Sequence, residues 1–441
     1  MSASKLITPA VNIHIIGLGV AAPAQLDAPA LAALQRSSAV IGSERQLQTL
    51  AAVLAPEQQQ YPLPKLSQLP ALIEKVGAQP NFSSVAILAS GDPLYFGIGR
   101  WFSQNFSRQA LHFYPAVSSI QAACHALGLS LQDVDVISLH GRAQVTIRRQ
   151  LQAGRTLVLL TDKNSQPQKL AQECQQAGFP DSRLWVCEKM GYAEQKVREF
   201  SVAELLDPDS TVAPHFDSLQ VTVITVIGAG CYLPRFPGIP DTDFITDGEA
   251  GKGLLTKREV RLTILSLLQP GPADIGWDIG AGCGSVAVEW GYWAPKSQVF
   301  AIEHHRERFA CMQANCERFG VVNNVTAINA RAPEALAAIP AANKIFIGGS
   351  DGELPDLLNV CWQQLPAGGV LVASAVTENT KMILQQFYAN LHNGVERQTV
   401  QVAVSRGGAL AGQLLYRPNL PVSLFKFNKP FNKIAQVEGQ S

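Results

Sequence analysis

The sequence has no excess of either charge, no cysteine pairs of the metal-binding kind and no apolar stretch long enough to cross a membrane. Its 35 basic and 35 acidic side chains cancel, so we expect no broad electrostatic attraction to nucleic acid or to an anionic membrane. None of the eight cysteines forms a C-x-x-C pair, and no histidine cluster has metal-ligand spacing. No run approaches the roughly 18 apolar residues of a membrane span. These absences predict a cytoplasmic protein without a metal site.

Short apolar runs alternate with helical stretches along most of the chain, the pattern of parallel α/β sheets covered by helices. With about 150 residues per domain as a guide, 441 residues predict two or three compact units. In the first half, Pro115 marks the change from one lobe to a second. The predicted strands of this half are 11–16, 84–89, 111–114, 136–139, 156–160 and 219–226, and the predicted helices are 29–36, 119–127 and 167–177.

The α/β pattern breaks at residues 228–241, which carry three prolines and three glycines and cannot sustain a helix or strand. We therefore predict a first domain at 1–228, a linker at 229–240, a second domain at 241–425 and a polar tail at 426–441. In the second domain, Thr256 is placed to cap a helix, with Glu259 as its capping-box partner. Strands are predicted at 274–277, 298–302, 325–328, 344–347 and 369–373.

A glycine turn gives the strongest functional signal of the second domain. Residues 278–284 read D-x-G-x-G-x-G where a predicted strand ends and a helix begins. Glycines allow a tight turn and the close approach of a ligand to the backbone. The third glycine falls one place earlier than in the dinucleotide fingerprint, which suits a ligand without a pyrophosphate. Glu303 closes the next strand, where a carboxylate can accept both hydroxyls of a ribose. The order of these elements predicts nucleoside binding, with S-adenosylmethionine (SAM) as the favoured ligand.

Further motifs of this half fall in one order: GIPDTDF at 238–244, TKREVR at 256–261, NCERFGVVNN at 315–324, APE at 332–334, FIGGS at 346–350 and AVT at 375–377. Together with the glycine turn they resemble the decarboxylating precorrin C-15 methyltransferases of cobalamin biosynthesis, over residues 238–420. The resemblance implies a Rossmann-like class I SAM-dependent methyltransferase fold. It also implies SAM contacts at Thr256, Gly280, Ala281, Gly282, Cys283, Gly284, Glu303 and Ala332.

The first half carries its own series of motifs: GLG at 17–19, SGDPLYFGIGR at 90–100, PAVSS at 115–119 and SLHGR at 138–142. Each is an ordinary turn or helix cap by itself, but the series resembles the tetrapyrrole methylase family, in its precorrin C-5 methyltransferase branch, across residues 10–228. The resemblance implies a two-lobed fold that binds SAM between its lobes. The contacts carried over are Gly17, Gly19, Gly91, Asp92, Ser118 and Ser119.

A fusion of these two families implies a bifunctional enzyme with two SAM sites per chain. It would transfer methyl groups to C-5 and C-15 of a precorrin and remove CO2 from a ring acetate. No nucleophile or metal motif is present, and the sequence identifies no catalytic acid or base. Because such a substrate carries many carboxylates, we expect cationic side chains to orient it. The candidates are Lys252, Lys257, Arg258 and Arg261 in the second domain, and Arg100 and Arg142 in the first half. We also expect a homo-oligomer.

Two other functions remain open at this stage. A nucleic-acid methyltransferase would often carry Asn/Asp-Pro-Pro-Tyr after the fourth strand, where this chain has Gly-Gly-Ser-Asp at 348–351. The neutral net charge also counts against it. A SAM-binding regulatory protein with one inactive half is the second alternative. The number of SAM molecules bound per chain separates it from the bifunctional enzyme.

Overall fold

The computed structural model describes residues 6–80, 82–207, 215–249, 253–392 and 394–431. The chain forms two compact units, each with its own hydrophobic core. The first unit comprises Met1–Gly141 and Ala153–Ala229, and the second comprises Arg142–Gln152 and Gly230–Ser441. The segment 228–241 contains no strand and no α-helix.

The first unit begins with a parallel five-stranded sheet, here called the first sheet, in the order β3-β2-β4-β1-β5. Its central strand β4 is buried at every residue, as expected where helices cover both faces of a parallel sheet. Alternate residues of β4 enter two separate apolar clusters, one on each face. The strands are β1 Asn12–Gly17, β2 Ala39–Gly42, β3 Gln59–Pro62, β4 Ser84–Ala89 and β5 Leu111–Tyr114, and the helices are α1 Ala28–Arg36, α2 Glu44–Thr49, α3 Leu69–Gly77 and α4 Gly99–Asn105.

The second sheet of the first unit differs from the prediction, because it is mostly antiparallel. Its order is β6-β7-β10-β8-β9, and only β6 and β7 run parallel. The segment 189–195 between β8 and β9 is too short for a crossover helix, so the two strands pair antiparallel. The strands are β6 Asp135–Ser138, β7 Thr156–Leu160, β8 Arg183–Glu188, β9 Lys196–Ser201 and β10 Gln220–Thr225, and the helices are α5 Ser119–Leu127, α6 Pro167–Gln176 and α7 Val202–Leu206.

The second unit contains a seven-stranded sheet in the order β13-β12-β11-β14-β15-β19-β16. Strands β11 to β15 are parallel, and β19 runs antiparallel between β15 and β16. The chain reverses its direction across the sheet at β11, which lies between β12 and β14, and such a switch point leaves a crevice at the carboxyl ends of the strands. The strands are β11 Ile275–Ile279, β12 Gln298–Ile302, β13 Val325–Ile328, β14 Lys344–Ile347, β15 Val370–Ala375, β16 Glu396–Val402, β17 Ser405–Leu410, β18 Gln413–Pro418 and β19 Val422–Asn428, and the helices are α8 Arg258–Leu268, α9 Ser285–Trp293, α10 Arg306–Arg318, α11 Leu354–Gln364 and α12 Glu378–Asn390.

The predicted polar tail begins too early. Residues 425–428 belong to the strand β19, in which Phe427 is fully buried and Phe425 nearly so. Apolar residues alternate with polar ones here, and the segment is buried only because β15 and β16 flank it on both sides.

The predicted cap of α8 is also wrong. Helix α8 begins at Arg258 after Lys257, and no side chain at the N-cap position bonds to it. Asp241 supplies the cap instead, because its Oδ1 accepts a hydrogen bond of 3.0 Å from the backbone N of Arg258. The capping residue thus lies 17 positions away along the chain.

Candidate functional sites

The glycine turn of the second unit lies at one wall of a cavity of about 310 Å³. It connects β11 to α9, at the carboxyl edge of the sheet. Gly280 has φ +69°, and a Cβ there would lie 2.6 Å from the backbone N of Gly349. Only glycine fits this position. The cavity is also lined by the predicted residues Thr256, Lys257, Ala281, Gly282, Glu303 and Ala332.

Glu303 is fixed at the end of β12 by the backbone around it. Its Oε2 accepts a hydrogen bond of 2.9 Å from Gly282 N, and its Oε1 accepts one of 2.8 Å from His305 N. The side chain is 5% exposed and lines the cavity. Each carboxylate oxygen has a second lone pair, so the group can still accept hydrogen bonds from two neighbouring hydroxyls of a ligand.

Asp278, the acidic residue of the glycine motif, is completely buried at the end of β11. Its Oδ2 accepts a hydrogen bond of 2.8 Å from Ala287 N, whereas its Oδ1 has no partner among the described residues. Burial raises the pKa of this carboxyl to about 7, against the hydrogen bond from Ala287, which lowers it. A single hydrogen bond thus opposes the cost of burying a negative charge on Asp278.

Several predicted residues of the second unit lie elsewhere. Cys283 points into the core, where its Sγ lies 3.7 Å from Asp247 Oδ1, and burial raises its pKa to about 12. Gly284 packs on Met312, to which a Cβ would come within 2.5 Å. Arg258 is half-exposed and paired with Glu259. Within the described part of the chain, none of the three lines the cavity. Lys252 lies outside the described residues.

The prediction that Arg261 contacts the substrate is wrong, because its side chain is fully buried. Its Nε lies 2.5 Å from Glu289 Oε2, and Glu289 is also fully buried. Its Nη1 donates to Thr256 O at 2.7 Å and to Asp241 Oδ1 at 3.2 Å, and its Nη2 donates to Ile239 O. Arg261 thus ties the inter-domain segment to the start of α8.

Sequence reasoning missed four ionisable side chains that line this cavity: His304, Arg308, Arg331 and Asp351. Asp351 Oδ2 lies 3.1 Å from both His304 Nε2 and Arg331 Nη2. His304, Arg331 and Asp351 each follow a parallel strand within a few residues of its carboxyl end. That placement is the available signal, because such strand ends meet at one edge of the sheet.

The first unit has its own cavity of about 270 Å³, lined by the predicted residues Gly19, Gly91, Asp92, Ser118 and Ser119. Asp92 holds its loop closed: Oδ1 accepts from Leu94 N and Tyr95 N at 2.8 and 2.9 Å, and Oδ2 accepts from Ala116 N at 3.2 Å.

The remaining predicted residues of the first half have mixed positions. Ser118 uses its hydroxyl to cap α5 through Gln121 N. Gly17 lies behind the cavity wall, where a Cβ would lie 2.8 Å from Gly91 O. Arg100 and Arg142 are exposed, and neither is among the residues that line the two cavities described above.

The cavity of the first unit includes residues that sequence reasoning missed, among them Arg45, Gln46, Lys189, Tyr192 and Gln220. Gln220 is 8% exposed, and its Nε2 has no hydrogen-bond partner among the described residues. A buried amide without a partner is costly, so this donor is available for an acceptor group of a ligand. Arg45 and Gln46 follow β2, a strand that was not predicted, and so their position at a strand end was not recognised.

The described residues contain neither a metal-binding cluster nor a membrane-spanning helix. No group of three or more His, Cys, Asp or Glu side chains is placed to hold a metal ion. No helix in this part of the chain combines the length and apolar character that a membrane crossing requires.

Comparison with known proteins assigns a family model to each half. Residues 12–206 match the model of tetrapyrrole (corrin/porphyrin) methylases, and residues 248–429 match that of a precorrin methyltransferase domain.

Similar full-length proteins are also found. A precorrin-6Y C(5,15)-methyltransferase (decarboxylating) of Sinorhizobium sp. is 32% identical over 419 residues, which cover 95% of this chain and 96% of that protein. A protein of the same name from Mycobacterium tuberculosis is 33% identical over 421 residues, covering 95% of this chain and 100% of that protein. A crystal structure of precorrin-6Y C5,15-methyltransferase from Geobacter metallireducens aligns with 31% identity and a TM-score of 0.41, over 45% of this chain and 100% of that one.

Proposed function

This chain belongs to the family of the precorrin-6Y C5,15-methyltransferases (decarboxylating), and we propose that it methylates precorrin-6Y at C-5 and C-15 and removes CO2 from a ring acetate to give precorrin-8X. It is a SAM-dependent C-methyltransferase of cobalamin biosynthesis. The observation that carries the proposal is the presence of one cavity in each unit, each lined by the glycine turn and the strand-end acid that its family motif contains. We assign C-5 methylation to the first unit, and C-15 methylation with decarboxylation to the second.

The residues of the second cavity fit a nucleoside. Glu303 would accept the ribose hydroxyls, and the Gly280 turn would let the ligand approach the backbone. Thr256 and Ala332 line the same cavity. In the first cavity, Gly19, Gly91 and Gln220 would hold the second SAM, since they combine an open backbone with an unpartnered amide donor. When bound, SAM supplies an electrophilic methyl group. The task of the protein is to place an electron-rich ring carbon in line with it, and such positioning contributes several kcal/mol to lowering a barrier.

Decarboxylation needs a place for the electron pair of the breaking C–C bond, and the conjugated macrocycle itself can take it. The residues of the second cavity then have to bind the acetate and exclude water. Lys257 and Arg331 are two of the cations that line this cavity, and we assign to them the orientation of the ring carboxylates. His304 and Asp351 lie beside Arg331 and would set its direction.

The expected homo-oligomer belongs to this proposal. Strands β17 and β18 form a hairpin that is exposed at every residue, including Leu414 at 71% and Tyr416 at 65%. A two-stranded hairpin is marginal in water by itself, so a second copy of the chain is the partner we expect on it. Light scattering should show an assembly larger than one chain, and replacing Leu414 and Tyr416 by serine should dissociate it.

The eight free cysteines fit the cytoplasmic location that we propose.

The direct test incubates the purified chain with SAM and precorrin-6Y and follows the product by mass. We expect two added methyl groups and the loss of one CO2 per macrocycle, with methyl positions assigned from ¹³C-labelled SAM. Calorimetry should show two SAM molecules per chain. One SAM per chain and a single methyl transfer would contradict the bifunctional enzyme and favour a protein with one inactive half.

A further inference from the structure

Arg45 lies at the rim of the first unit's cavity and connects its two sheets. It is the second residue of α2, and its side chain reaches across the cavity mouth. Nη2 lies 3.1 Å from Ser90 Oγ, after β4 of the first sheet, and Nη1 lies 3.1 Å from Tyr192 Oη, after β8 of the second sheet. Gln46 Nε2 donates to the same Ser90 Oγ at 3.0 Å. The guanidinium is thus held in one place by groups from both sheets.

The charge of Arg45 is not compensated by the groups that hold it. Both of its partners are neutral hydroxyls, and in the described part of the chain Arg45 makes no ion pair. The carboxylate of this cavity, Asp92, is already engaged by three backbone N–H groups. Lys189, the other cation of the cavity, lies 3.7 Å from Asp217. A guanidinium fork that is oriented by hydroxyls and lacks an anion matches the geometry of a ligand carboxylate.

An exposed aromatic pair lies at the same cavity. Tyr95 and Phe96 are 36% and 49% exposed, and their rings meet edge to face at 5.2 Å. Phe96 has φ +58°, a conformation that is costly for a bulky side chain and that persists where the surrounding fold enforces it. The loop that carries Phe96 is held by Asp92, whose Oδ1 accepts hydrogen bonds from Leu94 N and Tyr95 N directly before it. The loop therefore holds apolar aromatic surface in solvent beside an unpaired cation.

We propose that Arg45 binds a side-chain carboxylate of the macrocycle at the C-5 site, and that Tyr95 and Phe96 cover an apolar part of its ring. Tyr192 and Ser90 orient the guanidinium before the substrate arrives. Arg45 is thereby a specificity residue for polycarboxylate substrates in the first unit. This inference rests on the proposed function, because it takes the macrocycle as the ligand.

The test compares methylation at C-5 and C-15 in the full-length chain, using precorrin-6Y and ¹³C-labelled SAM. Arg45→Ala should raise the KM for C-5 methylation about 10- to 100-fold, the loss expected for a charge-assisted hydrogen-bonded pair. The KM for C-15 methylation should stay unchanged and serves as an internal control. SAM affinity of both sites should also be retained. Arg45→Lys should give a KM for C-5 methylation between those of the wild type and Arg45→Ala, because an ammonium keeps the charge but not the forked donor geometry. The matched control is Arg183→Ala, an exposed arginine of the same unit.

Two further measurements separate substrate binding from a merely structural bridge. Tyr192→Phe removes the hydroxyl that orients Arg45, and it should raise the C-5 KM a few-fold without changing SAM affinity. With a macrocycle whose carboxylates are methyl-esterified, wild type and Arg45→Ala should show the same KM. Reduced thermal stability with an unchanged C-5 KM would overturn the role of Arg45, as would an equal loss of SAM affinity. Failure of the wild-type chain to transfer any methyl group would instead contradict the proposed function itself.

Discussion

Glu303 has two tasks that its surroundings reveal. One lone pair on each oxygen holds the backbone of Gly282 and His305, and the other is left for a ligand. Its substitution therefore affects both the glycine turn and the ribose contact. The neighbouring acid Asp278 has a different environment, because it is buried without a partner for Oδ1. Both carboxylates are thus buried, but Glu303 lines the cavity and can accept from a ligand, whereas Asp278 is enclosed in the core and its pKa is raised.

Replacing Glu303 with alanine should abolish C-15 methylation and decarboxylation and leave C-5 methylation intact, since Glu303 lines only the cavity of the second unit. The product should carry one new methyl group and its original acetate, as seen by mass. SAM binding should fall from two molecules per chain to one. Glu307→Ala, at an exposed position of α10, is the matched control. Equal loss of both activities in a folded protein would contradict the two-site assignment.

Asp278 should make stability depend on pH in a direction that can be derived. Burial raises its pKa from 3.8 to about 7, so between these values the folded state keeps a proton that the unfolded state releases. The free energy of unfolding should therefore fall as pH rises from about 4 to 7 and level off above that. Asp278→Asn removes this contribution. The melting temperature of the wild type minus that of the variant should therefore decrease as pH rises from about 4 to 7, and it should stay constant from pH 7 to 8.

Asp162 provides the control of opposite sign. Hydrogen bonds from the backbone N of Gly141 and of Asn164 lower its pKa from 3.8 to about 2. The stabilisation that Asp162 adds to the free energy of unfolding is present above pH 3.8 and is lost as pH falls through 2. Between pH 4 and 8 the variant Asp162→Asn should therefore run parallel to wild type. A flat difference for Asp278→Asn as well would show that its carboxyl is not buried in the folded protein.

At the scale of elements, the functional groups lie on turns that leave the carboxyl ends of strands, and their shape depends on close backbone contacts. The turn after β11 passes within contact distance of the segment after β14, which is why both carry glycine. The loop of residues 90–100 after β4 is similarly closed by Asp92 and presents Tyr95 and Phe96. The backbone of these turns has little conformational freedom. We therefore expect substitutions in them to weaken ligand binding more than they destabilise the sheets.

Gly280→Ala should remove SAM binding at the second unit, because the added Cβ would meet the backbone of Gly349 at 2.6 to 2.7 Å. The residue also has φ +69°, and the left-handed conformation alone costs about 1 kcal/mol for alanine. Gly412→Ala separates the two effects, since Gly412 has φ +77° and nothing within 4 Å of the added Cβ. Calorimetry should show the loss of one SAM site for Gly280→Ala only. Two intact sites would mean that the segment after β14 can move away.

At the scale of the whole molecule, each unit has its own core and its own cavity. None of the residues that line either cavity belongs to the other unit. The two methyl transfers are therefore expected to be separable reactions that share one substrate.

A mixture of two single-site variants should restore full conversion. Gly17→Val blocks the first unit, because its side chain would collide with Gly91 O and Ala116 Cβ, and Glu303→Ala blocks the second. Each alone should stop at a partly methylated product, and the mixture should yield the doubly methylated, decarboxylated macrocycle. Mass analysis over time gives the readout. A mixture that yields only the two partial products would show that the intermediate does not pass between chains.

The sequence by itself determined the bounds of several short, mostly apolar strands. The predicted bounds of β4, β5, β7, β12, β13 and β14 coincide with the observed ones. It also determined the glycine turn and Glu303, because these motifs need only a strand end and a tight turn next to each other in the chain. Local patterns are sufficient for such features.

Tertiary structure decided whatever depends on residues far apart in sequence. It made the second sheet mostly antiparallel, buried Phe427 between β15 and β16, and gave the cap of α8 to Asp241. Burial also turned Arg261 from a candidate substrate contact into a structural ion pair with Glu289. Arg45 meets Tyr192 across 147 residues. No local pattern encodes such meetings, because the free energy of a side chain depends on its neighbours in space.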